Sequence, residues 1–369
     1  MALSLPEFPW DALVPFGERA SAHPDGIVDL SVGSPVDPTP FVIRDAVIAA
    51  ADAHSYPQTA GTVALREAIA AWFARRRGVA GLTAAQVLPT IGSKELIAGL
   101  PLWLGLGAGD VVVQPRTAYP TYAIGASLAG ATLHAGDDPA EWPEATRLVW
   151  LNSPGNPDGR VLGVDELRAA VARARDLGAI IVSDECYAEL AWDAPWGGSP
   201  TPSILDPAVL AGDPRSVLCV YSLSKQSNLA GYRAGFVAGD QDLIGELLAV
   251  RKHLGLMPPA PVQAAMVAAL SDDAHVAEQR ERYRGRRTVL RDALERAGFT
   301  IDHSEAGLYL WATRGDDAWT TVGEMAALGI LCAPGTFYGI DDSRHVRFAI
   351  TTTDERIAAA AGRLAASSN

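Results

Sequence analysis

Cysteine and histidine are scarce in this chain of 369 residues, which has three cysteines and seven histidines. Cys186, Cys219 and Cys332 are an odd number and include no C-x-x-C pair, so the sequence suggests neither a disulfide framework nor a zinc site. We therefore expect no bound metal. Free thiols favour a reducing compartment, which makes a cytoplasmic location the expectation.

Long apolar runs and an excess of positive charge are missing as well. No stretch approaches the roughly 20 uninterrupted apolar residues that a membrane span requires, and residues 1–10 lack the pattern of an export signal. The formal net charge of −13 would repel nucleic acid and anionic membranes. We expect a small-molecule partner, with no nucleic acid and no membrane.

What the chain does contain is an alternation of short apolar runs with longer helical patterns. A helix is predicted over 164–177, because acidic residues open the segment and Gly178 follows it. This order predicts an α/β fold with a mostly parallel sheet between helices, in which ligands bind at the carboxyl ends of the strands. The runs predicted as buried strands are 111–113, 148–152, 179–184 and 217–221.

The pattern changes after about residue 261. A long charged helix is predicted over 274–297, followed by apolar runs at 308–313 and 346–350, which together indicate a smaller α+β domain. The segment 192–207 is rich in proline, glycine and serine and predicts a surface loop.

Chemically useful residues follow the predicted strands. Lys225 lies just beyond a strand end, between hydroxyl residues and eight positions before Arg233, so it can form an imine beside a phosphate site. Asp184 ends a buried strand and needs a partner for its charge. The helix that opens at 91–95 leaves the amides of Ser93 and Lys94 free for an anion. The alternatives are a solvated loop lysine, a capping aspartate and an ordinary helix N-cap.

The block from Ser222 to Arg233 resembles the S-x-[SG]-K-x(7)-R motif of the class I/II aminotransferases, and the family's other motifs occur in order over nearly the whole chain. The string at 152–159 resembles N-x-P-x-N-P-T-G, and the string at 184–187 resembles D-x-x-Y. This resemblance implies pyridoxal 5'-phosphate as the cofactor and a homodimer. It also implies a large cofactor-binding domain at 41–261 with a seven-stranded sheet, and a small domain built from 1–40 and 262–369.

The resemblance assigns roles to individual residues. Lys225 would bind the cofactor and move the substrate's α-proton, Asp184 would pair with the pyridinium nitrogen, and Tyr187 and Asn156 would hydrogen-bond the phenolic oxygen. Tyr119 would stack on the ring. The phosphate would be held by Ser93, Lys94, Ser222, Ser224, Arg233 and the neighbouring subunit's counterpart of Tyr56.

The same resemblance gives the substrate's α-carboxylate to Arg347, with Gly33 and Asn156 beside it. The structural alternatives are a surface strand arginine for Arg347, a turn glycine for Gly33, a core aromatic for Tyr119 and a loop tyrosine for Tyr56. Asp158 departs from the family's usual threonine and adds a negative charge near an anion site. Cys186 is interpreted as packing.

For the substrate, the strings at 227–233 and 251–259 look most like N-succinyldiaminopimelate aminotransferases of lysine biosynthesis, with glutamate and 2-oxoglutarate as the donor pair. Such a substrate carries several carboxylates. Arg251 or Lys252 is a candidate for a second cationic contact, against the alternative of a solvated helix face.

Other functions share these motifs. An aminotransferase for aspartate, alanine or aromatic amino acids would use the same cofactor residues, and so would a carbon-sulfur β-lyase. A non-catalytic or regulatory cofactor-binding protein is a third alternative, and the intact Lys225, Asp184 and Arg347 argue against it.

Overall fold

The computed structural model describes residues 5–198, 200–339 and 343–367. Its strands are β1 Val28–Asp29, β2 Val87–Ile91, β3 Val111–Gln114, β4 Thr132–Ala135, β5 Thr146–Asn152, β6 Ile180–Asp184, β7 Val217–Ser222, β8 Ala234–Gly239, β9 Thr300–Asp302, β10 Tyr309–Thr313, β11 Ile330–Leu331, β12 Ala333–Pro334 and β13 His345–Ala349. Its α-helices are α1 Val14–Ser21, α2 Phe41–Ala49, α3 Val63–Arg77, α4 Gly92–Trp103, α5 Thr121–Ala129, α6 Val164–Asp176, α7 Pro207–Leu210, α8 Leu223–Gln226, α9 Gln241–Leu254, α10 Ala260–Ser271, α11 Ala274–Arg296, α12 Ala318–Ala327 and α13 Asp354–Ser367.

Seven strands form the large sheet, in the order β2-β8-β7-β6-β5-β3-β4. Strand β8 runs antiparallel to both of its neighbours, whereas the other pairs are parallel. The predicted seven-stranded, mostly parallel sheet is confirmed, as are the four predicted strands to within two residues at each end. Its central strands are buried on both faces because helices cover each side.

The two faces of this sheet build separate cores. Alternate residues of β5 enter different clusters, with Val149 on one face and Leu148 on the other, as a period of two requires. Helices α2, α3, α6 and α10 pack on the first face, and α4, α5 and α9 pack on the second. The predicted helix at 164–177 is confirmed as α6.

A third core lies under the antiparallel sheet β12-β13-β10-β9. Strand β1, near the start of the chain, pairs in parallel with β11, so both ends of the chain contribute to this region. The long helix α11 and strands β10 and β13 confirm the predictions made for them, within one residue of each bound. The domain boundaries at 40 and 261 stay predictions.

The predicted surface loop at 192–207 is wrong for part of its length. Trp192 and the stretch 201–205 are buried. The cause is a buried ion pair, in which Arg77 donates to a Glu185 carboxylate oxygen at 2.9 Å. Glu185 also accepts from the backbone N–H of Ile204 at 2.7 Å, so the segment is held over this pair. No helix in the described ranges is long and apolar enough to cross a membrane.

Candidate functional site

The carboxyl ends of three neighbouring parallel strands carry the first part of the site. Asn152 at the end of β5 lies opposite Asp184 at the end of β6, and β7 ends at Ser222. The Asn152 side-chain amide donates to the Asp184 backbone oxygen at 2.9 Å and accepts from the Asn156 N–H at 2.8 Å. The parallel register therefore places the 152–156 turn beside Asp184, as the sequence predicted from the strand ends.

Asp184 is a buried carboxylate. Its oxygens accept from the Tyr122 hydroxyl at 3.0 Å and from the Cys186 N–H at 3.2 Å. Burial raises the pKa of Asp184, although hydrogen bonds from Cys186 and Tyr122 act in the opposite direction. A cationic group brought next to Asp184 would relieve this cost. Tyr122 was given no role from the sequence, because a tyrosine in an apolar helix resembles an ordinary core residue.

Lys225 lies in α8, directly after β7. Its Nζ donates to the backbone oxygen of Gly33, so the residue predicted to form the imine meets the glycine predicted beside the substrate carboxylate. Burial lowers the pKa of Lys225, and the positive charges of Arg347 and Arg233 act in the same direction. These surroundings favour a neutral amine, which can act as a nucleophile or a base.

An anion cradle lies at the start of helix α4. Gly92 has φ 67°, and a Cβ there would come within 2.9 Å of the Arg233 guanidinium carbon. A Cβ on Gly235 would come within 3.1 Å of the Ser93 nitrogen. The guanidinium of Arg233 thus lies over the helix N-terminus, where free N–H groups and the helix dipole favour an anion.

The two serines before Lys225 lie where β7 ends and α8 begins. The Ser222 hydroxyl accepts from the Ser224 N–H at 3.2 Å and donates to the Ser224 hydroxyl at 2.9 Å. The Lys94 side chain is exposed, with its Nζ 5.8 Å from the centroid of the Phe8 ring, so only its backbone belongs to the helix start.

Arg347 is buried in β13 and reaches across to the 152–156 turn. One Nη donates to the Asn156 side-chain oxygen at 2.9 Å and the other to the Ser31 backbone oxygen at 2.6 Å. Both acceptors are neutral. The guanidinium carbon lies 3.9 Å from the ring centroid of Tyr309 and 4.8 Å from that of Tyr338. Arg347 is therefore a buried cation held in place by aromatic rings, with its charge available to an anion.

Several tyrosine side chains surround the site near Lys225. The Tyr187 hydroxyl lies 3.2 Å from the Tyr309 hydroxyl, and burial raises the pKa of Tyr187 well above its usual value. Tyr119 is partly buried, its ring lies edge-on to Tyr122, and burial raises its pKa to about 12. No sequence motif indicated a role for Tyr309, which occupies an ordinary strand position.

Other candidate residues lie elsewhere or differ from expectation. Tyr56 exposes 96% of its surface and lies outside the buried cluster. Arg251 faces neither solvent nor a substrate, because it is fully buried and its two Nη atoms donate to Glu95 at 3.0 and 2.7 Å. Its charge is already balanced, so it is a poor candidate for a second carboxylate. Lys252 is exposed.

Two further residues were noted in the sequence. The Cys186 Sγ lies 3.6 Å from the Ser93 hydroxyl, so this cysteine packs within the site rather than away from it. Asp158 belongs to the turn that presents Asn156, and burial raises its pKa. In the described ranges, no group of three or more histidine, cysteine, aspartate or glutamate side chains could hold a metal ion.

Comparison with known proteins identifies the family to which this chain belongs. A family described as aminotransferase class I and II matches residues 25–364. The chain is 60% identical over 361 residues to the 4-dedimethylamino-4-oxo-anhydrotetracycline transaminase OxyQ of Streptomyces rimosus, covering 98% of this chain and 99% of that one. It is 58% identical over 365 residues to a protein of Mycobacterium tuberculosis named as an aminotransferase, Rv1178, covering 99% and 86%.

A similar solved structure is that of N-succinyldiaminopimelate aminotransferase from Mycobacterium tuberculosis. It superposes with a TM-score of 0.85 at 26% identity, covering 98% of this chain and 100% of that one.

Proposed function

Because the chain belongs to the class I and II aminotransferases, we propose that it transfers an amino group between glutamate and the keto form of N-succinyl-L,L-diaminopimelate, with pyridoxal 5'-phosphate as its cofactor. The family and its cofactor are the premise, and the substrate pair is the proposal. The observation that carries it is the meeting of Lys225, Gly33, Asn156 and Arg347, which sets an amine of lowered pKa near a buried cation that has no counter-charge.

The residues present fit pyridoxal phosphate. In the cradle, the Arg233 guanidinium packs against Gly92 at the helix N-terminus, a combination of groups that suits a phosphate, and a Cβ at Gly92 would collide with the guanidinium. Asp184, a buried carboxylate whose pKa is raised by burial, matches a ring nitrogen that carries a proton. Tyr119 would lie against the ring. Tyr187 and Asn156 supply polar groups for the phenolic oxygen.

Bound pyridoxal phosphate supplies an aldehyde that takes up the amino group and a ring that accepts electrons from the substrate's α-carbon. Asp184 would keep a proton on the ring nitrogen by leaving its own carboxylate charged. The Lys225 amine, whose pKa is lowered by burial, would take the α-proton and return it. Arg347 would bind the α-carboxylate through its guanidinium, which would fix the α-carbon near Lys225.

The resemblance of 227–233 and 251–259 to N-succinyldiaminopimelate aminotransferases supports this substrate, as does the similarity to the solved structure of that name. Since Arg251 is committed to Glu95, the distal carboxylates of such a substrate need another cation. Of Arg251 and Lys252, the two candidates for this second cationic contact, the exposed Lys252 is the one whose charge is still available. A cytoplasmic location, supported by three free buried cysteines, belongs to the same proposal.

A second candidate acceptor comes from the identity of 60% to OxyQ, whose name gives an oxo-anhydrotetracycline as its substrate. This identity is much higher than that to the diaminopimelate enzyme of known structure. Both candidates use the same cofactor residues and differ in the keto compound that accepts the amino group.

A homodimer is also part of the proposal. Large apolar side chains stay exposed along one part of the chain, namely Val36, Phe41, Val42, Ile48, Tyr56 and Val63. A cluster of this kind marks an interaction surface. A second copy seated there would cover these residues and bring its Tyr56 toward the neighbouring phosphate cradle.

The test is the visible spectrum of the cofactor-loaded protein during separate titrations. Glutamate and N-succinyl-L,L-diaminopimelate should each convert the band to the amine form, while aspartate and alanine change it little. The protein aminated by glutamate is then freed of 2-oxoglutarate and mixed with the keto form of N-succinyl-L,L-diaminopimelate or with the oxo-anhydrotetracycline, and recovery of the band identifies the acceptor. Lys225→Ala should retain cofactor through the Arg233 cradle and show no turnover.

Each alternative has its own outcome. Best reaction with aspartate, alanine or an aromatic amino acid overturns the proposed substrate but keeps the aminotransferase. Recovery only with the oxo-anhydrotetracycline selects the second candidate. Release of pyruvate and a thiol from cystathionine identifies a β-lyase. Normal turnover by Lys225→Ala would remove this lysine from the mechanism.

A further inference from the structure

Tyr309 has contacts that none of the family motifs accounts for. It opens strand β10 and pairs in register with Ala349 of β13, two residues from Arg347. The side chain is buried and turned toward the site, where a Cβ added to Gly33 would come within 2.7 Å of two of its ring atoms. The ring of Tyr309 therefore requires a glycine at position 33.

The ring of Tyr309 also supports Arg347. The guanidinium carbon lies 3.9 Å from the ring centroid, closer than its 4.8 Å from Tyr338 on another side. A face-on ring at this distance attracts the cation and restricts its rotation. Arg347 donates to Asn156 and Ser31 in this position, so the ring helps to fix the direction in which a carboxylate is received.

The hydroxyl of Tyr309 has a different neighbour, the Tyr187 hydroxyl at 3.2 Å. Burial acts to raise the pKa of Tyr309, whereas the positive charges of Arg347 and Lys225 and hydrogen bonds with Tyr187 and Arg347 act together to lower it. Burial raises the pKa of Tyr187. A single proton occupies this contact between two hydroxyls, so donation by Tyr309 leaves the Tyr187 proton free for another acceptor.

We propose that Tyr309 is a positioning residue of this site, whose ring orients Arg347 toward the substrate carboxylate and whose hydroxyl donates to Tyr187. The inference rests on the proposed function, because it gives Arg347 a carboxylate and Tyr187 a cofactor oxygen to bind. The two roles belong to different atoms of one side chain. Tyr309→Phe removes the hydroxyl alone, and Tyr309→Leu removes the ring as well.

The hydroxyl is tested by the pH titration of the visible band in the cofactor-loaded protein. Tyr309→Phe should raise the midpoint by roughly half to one pH unit, the effect of one hydrogen bond, because Tyr187 then donates less strongly to the phenolic oxygen. Tyr338→Phe is the matched control. It keeps the second ring near Arg347 and removes a buried hydroxyl that has no hydrogen-bond partner among the described residues, so its midpoint should match the wild type.

The ring is tested by kinetics with the best amino-acid donor and with its carboxamide. Tyr309→Leu should raise KM for the amino acid about tenfold, the scale of a buried cation–π contact, and change KM for the carboxamide less than twofold. Tyr309→Phe should leave both KM values within about twofold of the wild type. This rescue by the conservative variant separates the ring from the hydroxyl.

A wild-type midpoint in Tyr309→Phe would overturn the hydroxyl role, and equal losses for acid and carboxamide in Tyr309→Leu would overturn the ring role. The midpoint is read without turnover. A protein that binds the cofactor but transfers no amino group would therefore overturn the proposed function while the Tyr309 hydroxyl is still tested.

Discussion

Arg251 and Arg347 are both almost completely buried, yet their charges are treated in opposite ways. Arg251 gives both Nη atoms to the Glu95 carboxylate. Arg347 gives its two Nη atoms to the oxygens of an amide side chain and a backbone carbonyl. A buried charge without a counter-charge is costly, so we expect an anionic group of a ligand to complete the surroundings of Arg347. Within one chain, the partner rather than the burial distinguishes a structural arginine from a binding one.

The largest effect should follow loss of Arg347. Arg347→Leu should lower kcat/KM for the best amino acid by about a hundred- to a thousandfold, which corresponds to the loss of a buried, charge-assisted carboxylate contact. The protein should remain folded, because removal of a cation that has only neutral partners leaves no unpaired charge. The measurements are steady-state kinetics and the midpoint of chemical unfolding.

The carboxamide of the same amino acid is the control substrate for Arg347→Leu. It cannot accept a charge-assisted pair, so its slower reaction should change much less than that of the acid. An equal loss for both substrates would mean that Arg347 acts through the fold, as Arg251 does.

The strand ends were readable from the sequence because polar residues interrupt apolar runs there. A run rich in β-branched and apolar residues precedes each of Asn152, Asp184, Ser222 and Lys225. Parallel strands bring such ends to one edge of the sheet. Only the family resemblance placed Lys225 and Gly33 in one site, and their contact, which joins residues 192 positions apart, was not predicted. Local pattern carries no information on contacts of that kind.

Other features depend on side-chain partners that no local pattern encodes. The sequence around Arg251 is typical of the solvated face of a charged helix. Arg251 is buried because α9 packs near Glu95 of α4. The segment 201–205 has a loop composition and is buried because Ile204 donates to Glu185. Tyr309 lies in a correctly predicted strand, but its facing of Arg347 and Tyr187 depends on how that strand meets the large sheet.

Loss of Arg251 tests the other arginine of the comparison, whose charge is paired with Glu95. Arg251→Met should lower the free energy of unfolding by about 3 kcal/mol, because it leaves the largely buried Glu95 charge without its partner. Catalysis by the folded fraction should change much less than in Arg347→Leu. Chemical unfolding followed by circular dichroism, with kinetics on the same preparation, measures both quantities.

The double variant Glu95→Gln/Arg251→Met tests the cause. It removes both charges. The glutamine keeps a side-chain oxygen that can accept from the Ile91 N–H, as Glu95 does at 3.0 Å. Much of the lost stability should return. If the double variant is no more stable than Arg251→Met, packing of the arginine stem and not an unpaired carboxylate explains the loss.

Lys225 is the third cation of this comparison and the one with the smallest expected effect. Like Arg347, it donates to a neutral oxygen, in this case the Gly33 backbone carbonyl. Its pKa is lowered in the folded protein, chiefly by burial, from the ordinary lysine value of 10.5. The folded state therefore binds this proton less well than the unfolded state, and the charged lysine costs stability at neutral pH.

Lys225→Met should accordingly stabilise the cofactor-free protein at pH 7, by about 1.4 kcal/mol for each unit by which folding lowers the pKa. The sign fixes the pH dependence. The gain is full below the folded pKa, shrinks as pH rises from there toward 10.5, and vanishes above it, since the lysine is then neutral in both states. Exposed Lys252→Met should show no such gain. A Lys225→Met protein less stable than the wild type at pH 7 would mean that the hydrogen bond to Gly33 outweighs desolvation, and Lys225 would then resemble Arg251 rather than Arg347.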